Sequence, residues 1–320
     1  MEPSRRSFTI TVPTTPKTPA PRCRVRRVTA APRGFGPVDA LVAWPEGVTG
    51  GGGRTATKRA GVTLHFVGYN TPMGPWEAAR LALWATQTGT IAVSCELPGL
   101  SRYGQPLPAT VRQDARAGDP TAWAAATLAC LRAALVAGDV PTPGPVSVLG
   151  YSTGCTLAAA ALPAVMSETT VANLILVEPV SLVRRTLGAL GLHNLADFAR
   201  LPKALPANVA VPWILQASLR EVGAPGVRYG LPDFLALTSL LSSADTTVRL
   251  ESYLAADWAL PPVHLARGAQ STLCSAPALA NLDDLLGDAG VSGTTTQVTG
   301  LGHQWWHCLP AVAEFAQITT

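Results

Sequence analysis

Val146-Ser147-Val148-Leu149-Gly150-Tyr151-Ser152-Thr153-Gly154 is a short apolar strand running directly into Gly-x-Ser-x-Gly, and the Ala-rich helical pattern Cys155–Leu162 follows at once. The order strand, sharp turn, helix carries more information than the pentapeptide alone. A serine hydroxyl is a poor nucleophile at neutral pH unless a base is held beside it. A strained strand-to-helix turn projects Ser152 clear of a sheet, and the flanking glycines let backbone pack closely around it. The next helix points its first N–H groups at any anion that forms there. Ser152 is therefore a candidate nucleophile.

Outward from this segment, strand and helix patterns alternate. A buried strand at Gly61–Val67 ends in Gly68-Tyr69-Asn70-Thr71-Pro72-Met73-Gly74, and a helical pattern over Pro75–Thr88 starts with the proline that first helical turns favour. The apolar run Thr90–Ser94, a helix at Thr121–Ala137 and the strand Asn173–Val177 continue the series. After Pro179 the alternation breaks. Residues 181–260 hold helical stretches at Leu187–Leu201 and Leu231–Ser242 separated by Pro and Gly, as an inserted lid would. The pattern resumes with a strand at Pro262–Ala266, a helix near Ala276–Leu286, a strand at Thr294–Thr299, Gly300-Leu301-Gly302-His303 and a closing helix at Leu309–Ile318. The strands are apolar throughout rather than at every second residue, which means a mostly parallel sheet covered on both faces. Arg22–Val28 and Val38–Trp44 read as antiparallel edge strands, and Gly50–Gly53 as a flexible turn. The expected organisation is a basic Pro/Thr-rich arm at 1–34 with one strand at Phe8–Val12, a core at 35–180, a lid at 181–260 and the rest of the core at 261–320.

Composition narrows the function. The 320 residues are 48% hydrophobic and 14% charged, with a net charge of +4. No apolar run is long enough for a membrane span. The basic arm lacks the aromatic interleaving of a nucleic-acid surface, so no nucleic-acid partner is expected. Met1–Pro21 has no apolar core of a secretory signal, and the six scattered cysteines form no C-x-x-C, so a cytoplasmic protein with reduced thiols is expected. No phosphate loop, cofactor lysine or metal spacing is present, and no cofactor or metal is expected. His303-Gln304-Trp305-Trp306-His307 has the spacing of a zinc helix but Gln304 stands where that motif needs Glu.

Four segments together, Phe66-Val67-Gly68-Tyr69, Glu96-Leu97-Pro98-Gly99, Gly150-Tyr151-Ser152-Thr153-Gly154 and Gly300-Leu301-Gly302-His303, match in order and spacing the α/β-hydrolase fold superfamily, which the chain resembles over about residues 35–318. The resemblance implies an α/β-hydrolase fold with an inserted helical lid. It implies His303 as the base, which would shuttle the serine proton, a role to which imidazoles in general are suited. It also implies the backbone N–H groups of Tyr69 and Thr153 as an oxyanion hole, although Val67 stands where a histidine often precedes the glycine. The acid departs from the pattern: the turn after Pro262–Ala266 reads Arg267-Gly268-Ala269-Gln270-Ser271-Thr272, without a carboxylate. Glu178, at the end of the strand after the nucleophile helix, occupies a place some members use. Asp257, or the pair Asp283 and Asp284, are alternatives, as is a dyad with Ser271, Thr272 or a carbonyl orienting the histidine. Tyr151, Trp305 and Trp306 are candidates to wall an acyl pocket, and Arg102 and Tyr103 to contact substrate. The expected activity is that of a serine hydrolase cleaving a carboxylic ester, thioester or lactone with a hydrophobic acyl part. The alternatives are an acyltransferase or cyclase using the same acyl-enzyme, or a binding protein on the same fold.

Overall fold

Apolar runs bounded by Gly and Pro become the strands of one nine-stranded sheet in a computed structural model, which describes residues 5–12, 23–47, 61–140, 144–204, 230–243 and 245–320. The strands are β1 (Arg5–Thr11), β2 (Cys23–Ala30), β3 (Val38–Pro45), β4 (Val62–Phe66), β5 (Ile91–Cys95), β6 (Val146–Tyr151), β7 (Val171–Val177), β8 (Val263–Gly268) and β9 (Gly293–Thr299). Their order across the sheet is β1-β9-β8-β7-β6-β4-β5-β3-β2. Every pair from β1 across to β5 is parallel, while β3 runs antiparallel to β5 and β2 antiparallel to β3. β4, β5, β6 and β8 are buried at every residue, because helices lie on both faces.

The helices in chain order are α1 (Pro75–Thr88), α2 (Ala109–Arg116), α3 (Thr121–Ala137), α4 (Thr153–Met166), α5 (Leu187–Phe198), α6 (Leu201–Ala204), α7 (Leu231–Ser242), α8 (Asp245–Ala255), α9 (Ala276–Asp288) and α10 (Leu309–Ile318), with a 3-10 turn at His303–His307. α1 closes on Gly89, whose left-handed φ of 66° lets its N–H reach the Ala85 carbonyl. α2 and α8 were not legible in the sequence, since each is short and polar on its outer face. Between β7 and β8 the chain builds α5 to α8. α8 docks on α4 through the Tyr253 hydroxyl, which donates to the Ala159 carbonyl at 3.1 Å, and through Thr246 and Thr156, whose hydroxyls are 3.1 Å apart.

The N-terminal stretch supplies a strand close to the one expected at Phe8–Val12 and the edge strand expected at Arg22–Val28. β1 pairs along its whole length with β9 at one edge of the sheet, and β2 pairs with β3 at the other. The Arg5 guanidinium bonds to Asp283 and donates to the Val263 carbonyl, so one of the basic residues is spent inside the fold. The Gly50–Gly53 turn lies outside the described residues. Among the described residues, no helix is long and apolar enough to cross a membrane.

Parallel strands end at one side of the sheet, and the loops leaving those ends carry the chemistry-bearing residues. Register sets their neighbours. Tyr151 pairs with Val177, and Val177 with Ala266, so the next residues on three adjacent strands are Ser152, Glu178 and Arg267.

Candidate active site

Ser152 adopts φ 55° and ψ −117°, a conformation side chains rarely take, at the junction of β6 and α4. Close approach explains the glycines beside it. A Cβ at Gly154 would lie 1.9 Å from the Phe66 carbonyl oxygen, and one at Gly150 would lie 2.6 Å from the Cys155 Cα. The bare Gly154 lets the start of α4 press against the end of β4, which brings Gly68 to the serine: a Cβ at Gly68 would sit 3.2 Å from the Ser152 Cβ. The turn bearing Tyr69 and the first residue of α4, Thr153, thus flank Ser152. The Tyr69 ring meets Phe234 of α7 at 6.0 Å between centroids.

His303 opens the 3-10 turn after β9 and is almost wholly buried. Its Nε2 lies 2.9 Å from Ser152 Oγ, and its Nδ1 lies 3.1 Å from Glu178 Oε2. Glu178 is fully buried and, like Ser152, has a positive φ, 56°. Its Oε1 accepts the Gly268 N–H and its Oε2 accepts the Ser271 hydroxyl at 2.7 Å. A carboxylate beside Nδ1 sets the tautomer: Nδ1–H donates to Glu178, leaving the Nε2 lone pair to the Ser152 hydroxyl. Three residues from the ends of β6, β7 and β9 thereby form one continuous hydrogen-bonded row.

The other acid candidates stand elsewhere. Asp283 bonds to Arg5 and accepts the Thr295 hydroxyl at 2.7 Å, on the side of the sheet that α9 covers. Asp284 and Asp257 are exposed. Ser271 serves Glu178 rather than the histidine, and Thr272 donates to Asp197.

Three expectations about substrate contacts are corrected. Trp305 is fully buried, packed edge-on against Trp306 and Phe315, and presents no surface to a ligand. Tyr151 is buried, stacked on His303 at 5.6 Å and on Trp306 at 5.9 Å, so it supports the imidazole from behind. Arg102 and Tyr103 are committed to the buried Asp39, at 2.8 Å each, near the β2–β3 edge. The reason is common to all: aromatic and basic side chains near a motif in sequence bury or pair wherever the core and edge strands offer them area or charge. His307 is half-buried. Burial and the Arg80 guanidinium push it down to about 3, so it is neutral at physiological pH. Among the described residues, no group of three His, Cys, Asp or Glu side chains is placed to hold a metal ion.

Sequence reading missed Asp197 of α5. It is fully buried, and its carboxylate reaches both the loop after β8 and the His303 backbone. The available signal was a lone carboxylate in the apolar run Leu187–Phe198.

No protein-family model and no curated protein matches this chain by sequence. Solved structures do match it. The chain is similar to the S-formylglutathione hydrolase FrmB from Staphylococcus aureus, with a TM-score of 0.55 at 11% identity, over 93% of this chain and 96% of that one. It is similar to a variant of the esterase rPPE, with a TM-score of 0.50 at 18% identity over 92% and 81% of the two chains. The hyperthermophilic esterase from the archaeon Pyrobaculum calidifontis gives 0.49 at 20% identity over 92% and 84%. Together with the strand order, the first of these likenesses establishes the fold: this chain has the α/β-hydrolase fold.

Proposed function

We propose that this chain is a serine hydrolase that cleaves a carboxylic ester, thioester or lactone through an acyl-enzyme on Ser152. The observation that carries the reading is the unbroken row Ser152 Oγ, His303 Nε2, His303 Nδ1, Glu178 Oε2, with links of 2.9 and 3.1 Å. Ser152 attacks the substrate carbonyl while His303 takes its proton. Glu178 holds the ring and stabilises the imidazolium that forms. The N–H groups of Thr153 and Tyr69 receive the oxyanion, each such donor being worth about 3–4 kcal/mol in the transition state. His303 then protonates the leaving alcohol or thiol, and water activated by the same ring releases the acid. Tyr69, in the turn that flanks Ser152, and Phe234, whose ring meets it, are half-buried aromatics that suit a hydrophobic acyl group. The helices between β7 and β8 act as its lid. The names of the similar structures, esterases and a hydrolase, accord with this class of reaction.

The test is intact-protein mass after treatment with a fluorophosphonate, with a panel of short and medium acyl esters and thioesters run alongside. The expected result is one adduct on the wild type, none on Ser152→Ala, and hydrolysis that disappears with the adduct. A wild type that takes no adduct and turns over no ester would overturn the proposal.

A further inference from the structure

Asp197 belongs to α5, outside the strand-end loops that carry Ser152, Glu178 and His303. Its side chain is nevertheless wholly buried and fully engaged with those loops. Oδ2 accepts the N–H groups of Thr272 and Leu273, both at 2.8 Å, and the Thr272 hydroxyl at 3.0 Å. Oδ1 accepts the His303 N–H at 3.4 Å and the Arg200 guanidinium at 3.1 Å. Arg200 donates in turn to the Gln270 carbonyl at 2.9 Å. One carboxylate therefore ties α5 to two places at once. The first is the turn that bears His303. The second is the 270–273 loop, whose Ser271 holds Glu178.

Chemistry makes this more than helix packing. The turn after β8 carries no acidic side chain of its own, so its amides at Thr272 and Leu273 need an acceptor from elsewhere, and an amide buried without one is costly. Burial pushes the Asp197 carboxyl up, but the Leu273 and Thr272 amides and the nearby His303 outweigh that and hold it below its usual value. A carboxylate buried this deeply is expensive unless every lone pair is used. Here every donor that uses it except Arg200 comes from the two segments on which the row of Ser152, His303 and Glu178 depends.

We infer that Asp197 is a positioning residue. It fixes the His303 backbone and the Ser271 loop, and it couples the seating of α5 to assembly of the Ser152–His303–Glu178 row. The inference rests on the function proposed above. Asp197 touches no reacting atom; it acts through His303 and, via Ser271, through Glu178. When α5 is seated the row is in register, and when α5 lifts the two loops lose their shared anchor.

The test uses the full chain as wild type, Asp197→Asn, and Arg200→Ala with Thr272→Val combined. Asn keeps the size of Asp but sets an NH₂ group against either the Thr272 and Leu273 amides or the His303 amide. Three quantities are read on protein of matched folded fraction: the fluorophosphonate labelling rate, kcat and KM on a p-nitrophenyl ester, and the low-field proton NMR signal of His303 Nδ1–H bonded to Glu178. The expected result for Asp197→Asn is labelling and kcat down by roughly ten-fold or more with KM little changed, since small misplacements of a catalytic group are costly. The low-field signal should broaden or move. A carboxylate that only packs a helix would lower the thermal midpoint and leave all three readings of the folded fraction alone, and that result would overturn the inference. If Asp197→Asn does not fold, the double variant decides: it keeps the carboxylate but removes two of its ties, and labelling within about two-fold of wild type would overturn the inference equally. A wild type with neither adduct nor low-field signal overturns the proposed function itself. A wild type with both signals and an unaffected Asp197→Asn overturns only the role of Asp197.

Discussion

Gly154→Ala tests whether the placement of Ser152 depends on bare backbone at the start of α4. The three atoms nearest an added Cβ are the Phe66 carbonyl oxygen at 1.9 Å, the Phe66 carbonyl carbon at 2.5 Å and the Val67 carbonyl oxygen at 2.7 Å. All belong to the main chain, so no side chain can swing aside. Real Cβ contacts essentially never fall under 3.0 Å, so β4 and α4 must part by at least 1.1 Å. Both sides of that gap belong to the site: one leads into Gly68 and Tyr69, the other into Ser152. A misplacement of about 1 Å costs about 10²-fold in rate, or about 2.7 kcal/mol of transition-state stabilisation. Overpacking adds roughly 1–3 kcal/mol of lost stability. The assay is the second-order rate of fluorophosphonate labelling, followed by intact mass, with circular dichroism to match folded fractions. Gly188→Ala is the control, because an added Cβ there meets nothing within 4 Å. It should label at the wild-type rate. Gly154→Ala labelling within about two-fold of wild type would refute the reasoning, since the close approach would then not govern the serine.

Further outcomes follow from the same geometry. Glu178→Gln replaces an acceptor bonded to Gly268, Ser271 and His303 with a group that also donates. It should lower kcat by about 10²–10⁴-fold with the fold retained, and near-wild-type turnover would remove Glu178 from the row. Acid should destabilise the protein from about pH 6.5 downward. Burial and the Arg80 charge push His307 down to about 3, and burial and the Arg5 charge push His264 down to about 4. Both lie below the unfolded value of 6.5, so the unfolded chain binds more protons and stability is lost as pH falls through 6.5 toward 3. Urea midpoints at pH 7 and pH 4.5 check this: the loss should reach several kcal/mol, and equal midpoints would contradict it. Glu77 continues the trend at lower pH. Burial pushes it up, but Arg80 at 2.9 Å and His65 at 3.0 Å bring it down to about 2, so its contribution is lost below 4.5. Glu77→Gln should therefore flatten the acid limb below pH 4.5.

Much of the fold was legible because its signals are local. Val146–Tyr151 and Ile91–Cys95 are apolar at nearly every position, which only strands covered on both faces tolerate, and Val62–Phe66 is buried at every residue although Thr63 and His65 are polar. β1 was harder. Arg5–Thr11 alternates and is charged, and its partner β9 lies nearly 290 residues away in the chain, so nothing local marks the pairing. α2 and α8 likewise take their stability from neighbours rather than from their own pattern.

At the site the same division holds. Ser152 and His303 were nominated by short motifs, since a nucleophile elbow and a glycine-rich turn after the last strand are written in adjacent residues. The acid was not: the sequence left Glu178, Asp257, Asp283, Asp284 or none, and the tertiary structure sets Glu178 alone of these against Nδ1. Trp305 sits two residues from His303, yet it faces the core, because a 3-10 turn points successive side chains in different directions. Asp197 was invisible for the opposite reason, being 106 residues from His303 in the chain and in hydrogen-bond contact with it in space. What the sequence by itself determined was the set of strands, the turn that strains Ser152 and the residue types able to do acyl chemistry, because hydrophobic period and glycine placement act over a few residues. Which carboxylate meets the histidine, and which helix anchors the loops around it, only the tertiary structure decided, because those contacts depend on strand order and register across the sheet.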